Sequence, residues 1–201
     1  MKPKLHIGVL ALQGAFVAHA QALRDCGAEV QLVRTHEDLN GIQGLVIPGG
    51  ESTTMSNLLV ASGLSEVLKD IFRHGFPVFG TCAGMIVLAE RILDGRTDQI
   101  SLGALKIDVR RNGYGRQNDS FEQDIIVPSF DTPFHALFIR APVIEAIGPD
   151  VEVLASWGDR PVLVRSAHAL ACSFHPELVS DLRIHEMFLS IVENFSVTNP
   201  R

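Results

Sequence analysis

Short apolar runs alternate with amphipathic segments along the first half of the chain. The runs have the length of strands, and their continuous apolar character is typical of strands buried on both faces of a parallel sheet. Between them, apolar residues recur every three or four positions, which is typical of helices packed on such a sheet. We predict strands at residues 5–12, 30–33, 44–48 and 78–80, and helices at residues 15–26, 52–61, 64–74 and 82–93.

The second half of the chain is richer in strand patterns and closes with an amphipathic helix. No repeat, linker or low-complexity segment interrupts the sequence, so we expect residues 1–201 to form a single domain. The pattern predicts a three-layer α/β fold with a mostly parallel central sheet flanked by helices. We predict strands at 102–109, 121–127, 136–140, 152–157, 161–165 and 169–174, and a helix at 181–195 that buries Ile184, Phe188, Ile191 and Val192.

Composition excludes several classes of protein. With 46% hydrophobic and 20% charged residues, the chain is globular and not disordered. A net charge of −6 without a basic stripe argues against binding to nucleic acid or to anionic membranes. No apolar run reaches the roughly 18 residues that span a bilayer. The three cysteines form no paired motif, so we expect a cytoplasmic protein in a reduced compartment.

A cysteine lies at the sharp turn predicted between the fourth strand and the next helix. The sequence Gly-Thr-Cys-Ala-Gly around Cys82 has the spacing of a nucleophile elbow. A helix N-terminus at that position favours the thiolate form. Most free cysteines are small buried hydrophobes, but the two flanking glycines favour a nucleophile at Cys82. Cys26 and Cys172 lack such a frame, and we expect them to serve packing.

A candidate base follows the last predicted strand. His175 and Glu177 are separated by Pro176, and in an extended backbone their side chains project to the same side. In a Cys–His–Glu triad, the histidine takes the thiol proton and later protonates the leaving group, while the glutamate orients the ring. A lone histidine is more often structural, but its pairing with Glu177 and the elbow favours catalysis.

The turn at residues 49–51, Gly-Gly-Glu, ends the third strand and opens a helix. Glycines let the backbone approach a substrate closely and turn an N–H towards a developing oxyanion. We expect the N–H groups of Gly50 and Ala83 to form an oxyanion hole, because Ala83 directly follows the nucleophile. The turn also suits a helix cap, with Ser52 or Thr53 as the capping residue.

Arginines are candidates for binding a carboxylate. The longest polar segment, residues 110–120, contains Arg110, Arg111 and Arg116 and is a natural wall for a site. The same arginines also fit a solvated turn. Arg140 ends an apolar strand, where a charge is expected to face the site. No phosphate-binding loop, dinucleotide motif or zinc spacing is present, so we expect no cofactor and no metal.

Together these motifs resemble those of the class I, triad-type glutamine amidotransferases. More narrowly, the chain resembles the glutaminase subunits of pyridoxal 5′-phosphate synthase over nearly its whole length. The resemblance implies a flavodoxin-like fold of the class I amidotransferase type. It is carried by Leu12-Gln13-Gly14, Pro48-Gly49-Gly50-Glu51-Ser52-Thr53-Thr54, Gly80-Thr81-Cys82-Ala83-Gly84, Phe138-Ile139-Arg140-Ala141-Pro142 and Ser173-Phe174-His175-Pro176-Glu177.

The resemblance implies hydrolysis of L-glutamine to L-glutamate and ammonia through a γ-glutamyl thioester on Cys82, with His175 and Glu177 completing the triad. An anion such as Glu51 suits the ammonium of glutamine, and its carboxylate needs a cation. The positions that match glutamine-binding residues of the family are Gly49, Gly50, Glu51, Arg111, Ile139 and Arg140.

The resemblance also implies a partner, because the chain has no second site that would consume ammonia. That partner is the synthase subunit, which uses ammonia in the biosynthesis of pyridoxal 5′-phosphate (vitamin B6). We expect Gln13 near the docking face, and docking to orient the Gly49–Gly50 peptide. The alternatives are a γ-glutamyl hydrolase or another amidotransferase subunit of the same fold, a stress or deglycase protein with a similar elbow, and an inactive binding module. The intact candidate triad argues against the last.

Overall fold

The computed structural model describes residues 4–111 and 120–198, so Arg116 and most of the predicted polar segment lie outside the described residues. Within these ranges the chain forms strands and α-helices in the alternating order expected for its first half. The strands are β1 (His6–Leu10), β2 (Glu29–Val33), β3 (Gly44–Ile47), β4 (Val78–Thr81), β5 (Ala89–Ile92), β6 (Leu105–Arg110), β7 (Ser120–Ile125), β8 (Phe134–Ile139), β9 (Val143–Ile147), β10 (Glu152–Trp157), β11 (Arg160–Arg165) and β12 (Ala169–Cys172). The helices are α1 (Phe16–Asp25), α2 (Ser52–Ala61), α3 (Leu64–Arg73), α4 (Ala83–Leu88) and α5 (Arg183–Thr198).

The central sheet has seven strands among the described residues, in the order β10-β11-β12-β4-β3-β1-β2. The strands from β12 to β2 pair in parallel, whereas β11 pairs antiparallel with both β10 and β12. This is the mostly parallel sheet that the sequence predicts. The strands β3, β4 and β12 are buried along their full length, which explains their continuous apolar runs.

Helices cover both faces of this sheet and bury separate apolar clusters. On one face, Leu23 of α1 and Phe188 of α5 belong to the same cluster as Phe79 of β4. On the other face, Leu59 of α2 and Leu68 of α3 pack in the cluster that also contains α4. The four residues predicted to form the buried face of α5 are all buried, as expected.

The predicted helix at residues 82–93 is wrong in its second half. The helix α4 ends at Leu88, and the chain continues directly into β5, which pairs with β6. Every residue of α4 is buried, so this segment offers no polar face whose period could mark its end. The strand β9 was not predicted and pairs antiparallel with β6 to complete a three-stranded sheet.

A hairpin formed by β7 and β8 packs on the segment that follows β12. Phe138 of β8 packs on Phe174, which follows β12, and the backbone N–H of His175 donates to the carbonyl of Leu137 at 2.9 Å. The hairpin therefore brings the end of β8, at Ile139, towards the carboxyl end of the sheet. No helix in the described part of the chain is long and apolar enough to cross a membrane.

Candidate active site

The candidate site lies where three neighbouring parallel strands end. The Gly-Gly-Glu turn follows β3, Cys82 follows β4, and His175 comes three residues after β12. Since β12, β4 and β3 are adjacent and parallel, their carboxyl ends meet at one edge of the sheet. The structure thus brings together motifs that are far apart in the sequence.

Cys82 occupies a strained turn. Its φ of 49° and ψ of −105° place a non-glycine residue in a sparsely populated backbone region. Its N–H donates to the carbonyl of Cys172 at 2.8 Å, which ties the turn to β12. A Cβ added to Gly84 would lie 2.1 Å from the carbonyl oxygen of Ile47, so the second glycine of the elbow permits close packing on β3.

His175 and Glu177 form a buried hydrogen-bonded pair. Nδ1 of His175 lies 2.8 Å from Oε1 of Glu177, and both residues are more than 90% buried. Burial lowers the pKa of His175, but hydrogen bonds with Cys82 and Glu177 outweigh it and raise that pKa to about 10. The pKa of Glu177 is lowered in turn: burial opposes this, and the hydrogen bond from His175 is the main favourable cause. The arrangement therefore favours an imidazolium between the sulfur of Cys82 and the carboxylate of Glu177.

The Gly-Gly turn approaches this pair closely. A Cβ added to Gly49 would lie 2.5 Å from Cε1 of His175, so a side chain at this position would displace the imidazole ring. The carbonyl of Gly49 accepts a hydrogen bond from the N–H of Ala15 at 3.3 Å. Because the two polar groups of a trans peptide point in opposite directions, the N–H of Gly50 points away from Ala15.

Glu51 caps α2, which the sequence had assigned to Ser52 or Thr53. Its carboxylate accepts hydrogen bonds from the N–H of Thr53 at 3.0 Å and of Thr54 at 2.6 Å. Burial opposes ionisation of this group, but these two backbone bonds lower the pKa of Glu51 to about 2. The side chain of Glu51, which directly precedes the helix, is long enough to reach the orphan N–H groups of its first turn.

Gln13 lies beside this turn. Its side-chain amide donates to the carbonyl of Glu51 at 3.0 Å and accepts from the N–H of Glu51 at 3.3 Å. A Cβ added to Gly50 would lie 2.6 Å from Nε2 of Gln13. The loop between β1 and α1 is therefore in direct contact with the candidate oxyanion turn.

Arg111 is held in place from three sides. It donates to the carboxylate of Glu51 at 3.3 Å and to the amide oxygen of Gln99 at 3.0 Å, while its N–H donates to Asp94 at 2.7 Å. Arg140 has a φ of 44°, a strained conformation that follows directly after Ile139. Arg110, by contrast, pairs with Glu145.

These groups surround a cavity of about 390 Å³, large enough for an amino acid. The thiol of Cys82 donates to the carbonyl of Ile139 at 3.7 Å at the cavity wall. The lining does not include four of the predicted site residues, Gln13, Gly49, Ala83 and Glu177. The lining residues are Gly50, Glu51, Ser52, Cys82, Ile86, Arg111, Ile139, Arg140 and His175.

Sequence reasoning missed several residues of the site. Ser52 and Ile86 line the cavity, and Ile86 could have been found because it lies one helical turn after Cys82. His19 lies 3.3 Å from Glu177, but a single histidine in an apolar helix gives no signal in one sequence. In residues 4–111 and 120–198, no group of three or more histidine, cysteine, aspartate or glutamate side chains is placed to hold a metal.

Comparisons with known proteins find relatives over nearly the whole chain. The pyridoxal 5′-phosphate synthase subunit PdxT of Mycobacteroides abscessus is 54% identical over 186 residues, covering 92% of this chain and 96% of that protein. PdxT of Corynebacterium jeikeium is 51% identical, with 95% and 98% covered. A solved structure described as a glutamine amidotransferase superposes with a TM-score of 0.88 at 47% identity, covering 93% of this chain and 98% of that one. A family model matches residues 9–194, and the chain therefore belongs to the SNO glutamine amidotransferase family.

Proposed function

We propose that this chain is the glutaminase subunit of a pyridoxal 5′-phosphate synthase, hydrolysing L-glutamine and supplying the ammonia used in that synthesis. The observation that carries the proposal is the extent of the likeness: relatives named as subunits of this synthase share about half of their residues with nearly the whole chain. The cavity with its cysteine, histidine and glutamate offers the chemistry that the activity needs.

The proposed mechanism begins with Cys82. His175 holds the proton that the thiol gives up before the sulfur attacks the side-chain amide carbon of glutamine, and the same proton then goes to the departing ammonia. The resulting γ-glutamyl thioester is hydrolysed when His175 takes a proton from water, which releases glutamate and restores the thiol. Glu177 keeps the imidazole oriented throughout through the bond to Nδ1.

The oxyanion of each tetrahedral intermediate needs N–H donors. We assign this role to Gly50 and Ala83. The bond between Ala15 and the carbonyl of Gly49 supports the assignment, because it turns the N–H of Gly50 in the opposite direction. The backbone of Ala83, at the first position of α4, has no earlier helical carbonyl to bind.

The substrate's α-carboxylate and ammonium would lie between charged groups at the mouth of the cavity. Arg111 already donates to Glu51, and its remaining N–H donors together with Arg140 suit the carboxylate. Glu51 stays ionised well below neutral pH and suits the ammonium. Gly49 and Ile139 complete the set by shaping the backbone next to Cys82.

The ammonia-consuming partner is the finer part of the proposal. Relatives that carry the name of a synthase subunit imply an assembly, and we infer that the synthase subunit docks beside Gln13. Docking there would act on the Gly49–Gly50 peptide through the contacts of Gln13 and Ala15. A single domain over residues 1–201 and a cytoplasmic location both stay predictions.

The test is glutamate release from L-glutamine by the wild type and by Cys82→Ala, each with and without a purified synthase subunit. We expect Cys82→Ala to lower kcat by about 10⁴-fold or more, as loss of a triad nucleophile does elsewhere. Cys26→Ser serves as the control, because Cys26 lies at the far end of α1 and should keep wild-type activity.

Activity that is independent of Cys82 would overturn the mechanism. Equal rates with and without the synthase subunit would overturn the coupling to a partner. Efficient cleavage of γ-glutamyl peptides without any partner would favour a γ-glutamyl hydrolase instead.

A further inference from the structure

A group of polar side chains lies buried behind the candidate triad, in a layer that is otherwise apolar. His19 of α1, Thr81 of β4 and His185 of α5 are fully buried. The ring of Phe79 is edge-on to both histidines and packs against the ring of Phe188. Buried polar groups of this kind destabilise a fold unless they bind one another, so their arrangement should have a use.

The group is connected to Glu177. Oε1 of Glu177 binds His175, whereas Oε2 makes no hydrogen bond within the described residues and lies 3.3 Å from Nε2 of His19. The same nitrogen of His19 lies 3.0 Å from the hydroxyl of Thr81, and its other nitrogen lies 3.0 Å from Nε2 of His185. His19 is thus the second side chain that contacts the carboxylate.

Both buried histidines are neutral at pH 7. Burial lowers the pKa of His19 to about 4, although Glu177 acts in the opposite direction. Burial also lowers the pKa of His185, to about 3. A neutral imidazole carries one N–H, so the position of that hydrogen decides whether His19 attracts or repels the carboxylate.

The contacts favour one arrangement of these hydrogens. With its hydrogen on Nε2, His19 donates towards Glu177 and Thr81, and its Nδ1 accepts from Nε2–H of His185. The reverse arrangement would turn a lone pair of His19 towards the carboxylate. It would also leave a buried N–H at Nδ1 of His185, which has no partner among the described residues.

We propose that His19 is a positioning residue for glutamine hydrolysis: its Nε2–H faces the buried oxygen of Glu177 from α1 and attracts the carboxylate that orients His175. His185 supports this arrangement by donating its Nε2–H to Nδ1 of His19. The inference rests on the proposed function, because it assigns His19 a part in the same triad.

Two elements then hold Glu177, the segment after β12 and the helix α1. With one bond alone, the carboxylate could rotate about its side chain and carry the imidazole away from Cys82. A displacement of about 1 Å in a catalytic group lowers the rate by roughly 100-fold, so a rigid second contact has a clear effect on kcat.

The test compares His19→Leu with His19→Gln. Leucine fills a similar volume without a donor, whereas glutamine can place an N–H near the position of Nε2. We expect His19→Leu to lower kcat by roughly 10- to 100-fold with KM nearly unchanged, and His19→Gln to recover most of the loss. The rate at which iodoacetamide alkylates Cys82, followed by mass spectrometry, should change in the same order, because it depends on His175 but not on substrate.

Leu23→Ala is the matched control. Leu23 is fully buried one turn further along α1, so its truncation destabilises the helix without touching Glu177. We expect a lower Tm in this variant with wild-type kcat and alkylation rate. If His19→Leu does not fold, His185→Phe tests the same chain of bonds, with an expected fall in kcat of about two- to tenfold.

Wild-type kcat and alkylation rate in folded His19→Leu or His185→Phe would overturn the inference. So would equal losses in His19→Gln and His19→Leu, because size alone would then matter. Failure of the proposed function looks different: the wild type would not hydrolyse glutamine, or Cys82→Ala would stay active, and the inference would fall with it.

Discussion

At the scale of single residues, the candidate site is built from backbone conformations and close approaches that ordinary positions avoid. Cys82 and Arg140 both have positive φ angles without being glycine. Each such conformation costs about 1–3 kcal/mol and persists only where the surrounding structure imposes it. Both residues lie at the cavity wall, so the strain is located where the proposed chemistry takes place.

Gly49→Ala tests how tightly the turn and the imidazole are matched. The new Cβ would lie 2.5 Å from Cε1 of His175, so the ring has to move. We expect kcat to fall by about 100-fold or more, since a shift near 1 Å has that effect. Steady-state glutamate release measures it.

Gly63→Ala is the control for that substitution. Its added Cβ would meet open space, but its φ of 73° disfavours any side chain. We expect a loss of about 1 kcal/mol in stability with unchanged kcat. A folded Gly49→Ala variant with wild-type kcat would contradict the prediction.

Individual residues differ in how far the sequence could reveal them. The glycine frame and the His-Pro-Glu sequence point to Cys82, His175 and Glu177, and the structure places these three together. Their catalytic roles stay predictions until they are measured. His19 could not be found, because its partner Glu177 is distant in the sequence and contact between them exists only in the folded chain.

At the scale of elements, α2 shows how one side chain serves both a helix and a site. The carboxylate of Glu51 satisfies two N–H groups in the first turn of α2 and also pairs with Arg111. A negatively charged side chain at a helix N-terminus is stabilised by the helix dipole. The start of the helix and the charge at the cavity mouth therefore depend on the same group.

Glu51→Gln should make this dependence visible through pH. The folded-state pKa of about 2 lies below the ordinary 4.5, so ionisation stabilises the fold above pH 4.5, and this is lost as pH falls towards 2. We expect the variant to be less stable by about 1 kcal/mol at pH 7, with a smaller difference at pH 3. Urea unfolding at both pH values measures it.

Glu66→Gln is the control for Glu51→Gln. Glu66 is exposed on α3 and pairs with Lys69 on the surface. We expect its replacement to change stability by less than about 0.5 kcal/mol at either pH. The prediction for Glu51 fails if Glu51→Gln loses as little stability as Glu66→Gln.

The end of a helix could be predicted where a glycine or a polar residue interrupts its apolar pattern. The helix α1 ends at Asp25, one residue before its predicted end, and Gly27 follows with a φ of 89° that suits a glycine and an N–H that donates to the carbonyl of Arg24. The helix α4 has no such boundary, and its end depends on the pairing of β5 with β6. Nothing in the local sequence of β5 or β6 indicates that they pair, and the same holds for the pairing of β9 with β6.

At the scale of the whole molecule, the loop between β1 and α1 joins the surface to the candidate oxyanion turn. Gln13 contacts the backbone of Glu51, and the N–H of Ala15 binds Gly49. If the synthase subunit docks beside this loop, the rate of glutamine hydrolysis should depend on these contacts more strongly in the complex than in the free chain.

Gln13→Ala tests that dependence. We expect the variant to lose about tenfold of the partner-stimulated rate, and less of the rate without partner, because two hydrogen bonds to the turn are removed. Gln21→Ala is the matched control. Gln21 is exposed on α1, and its side chain donates a hydrogen bond to Asp25, far from the turn. Equal losses with and without the synthase subunit would place Gln13 in the site and not at the interface.

The position of β12 has a consequence for the making of the molecule. It comes late in the sequence but lies in the interior of the sheet, between β4 and β11. Almost half of the chain separates Cys82 from His175, and such distant pairings form late because a long loop must close first. A growing chain on the ribosome therefore carries Cys82 long before it has His175. If these residues act as proposed, release of ammonia waits until β12 is in place, and a half-made subunit does not consume glutamine.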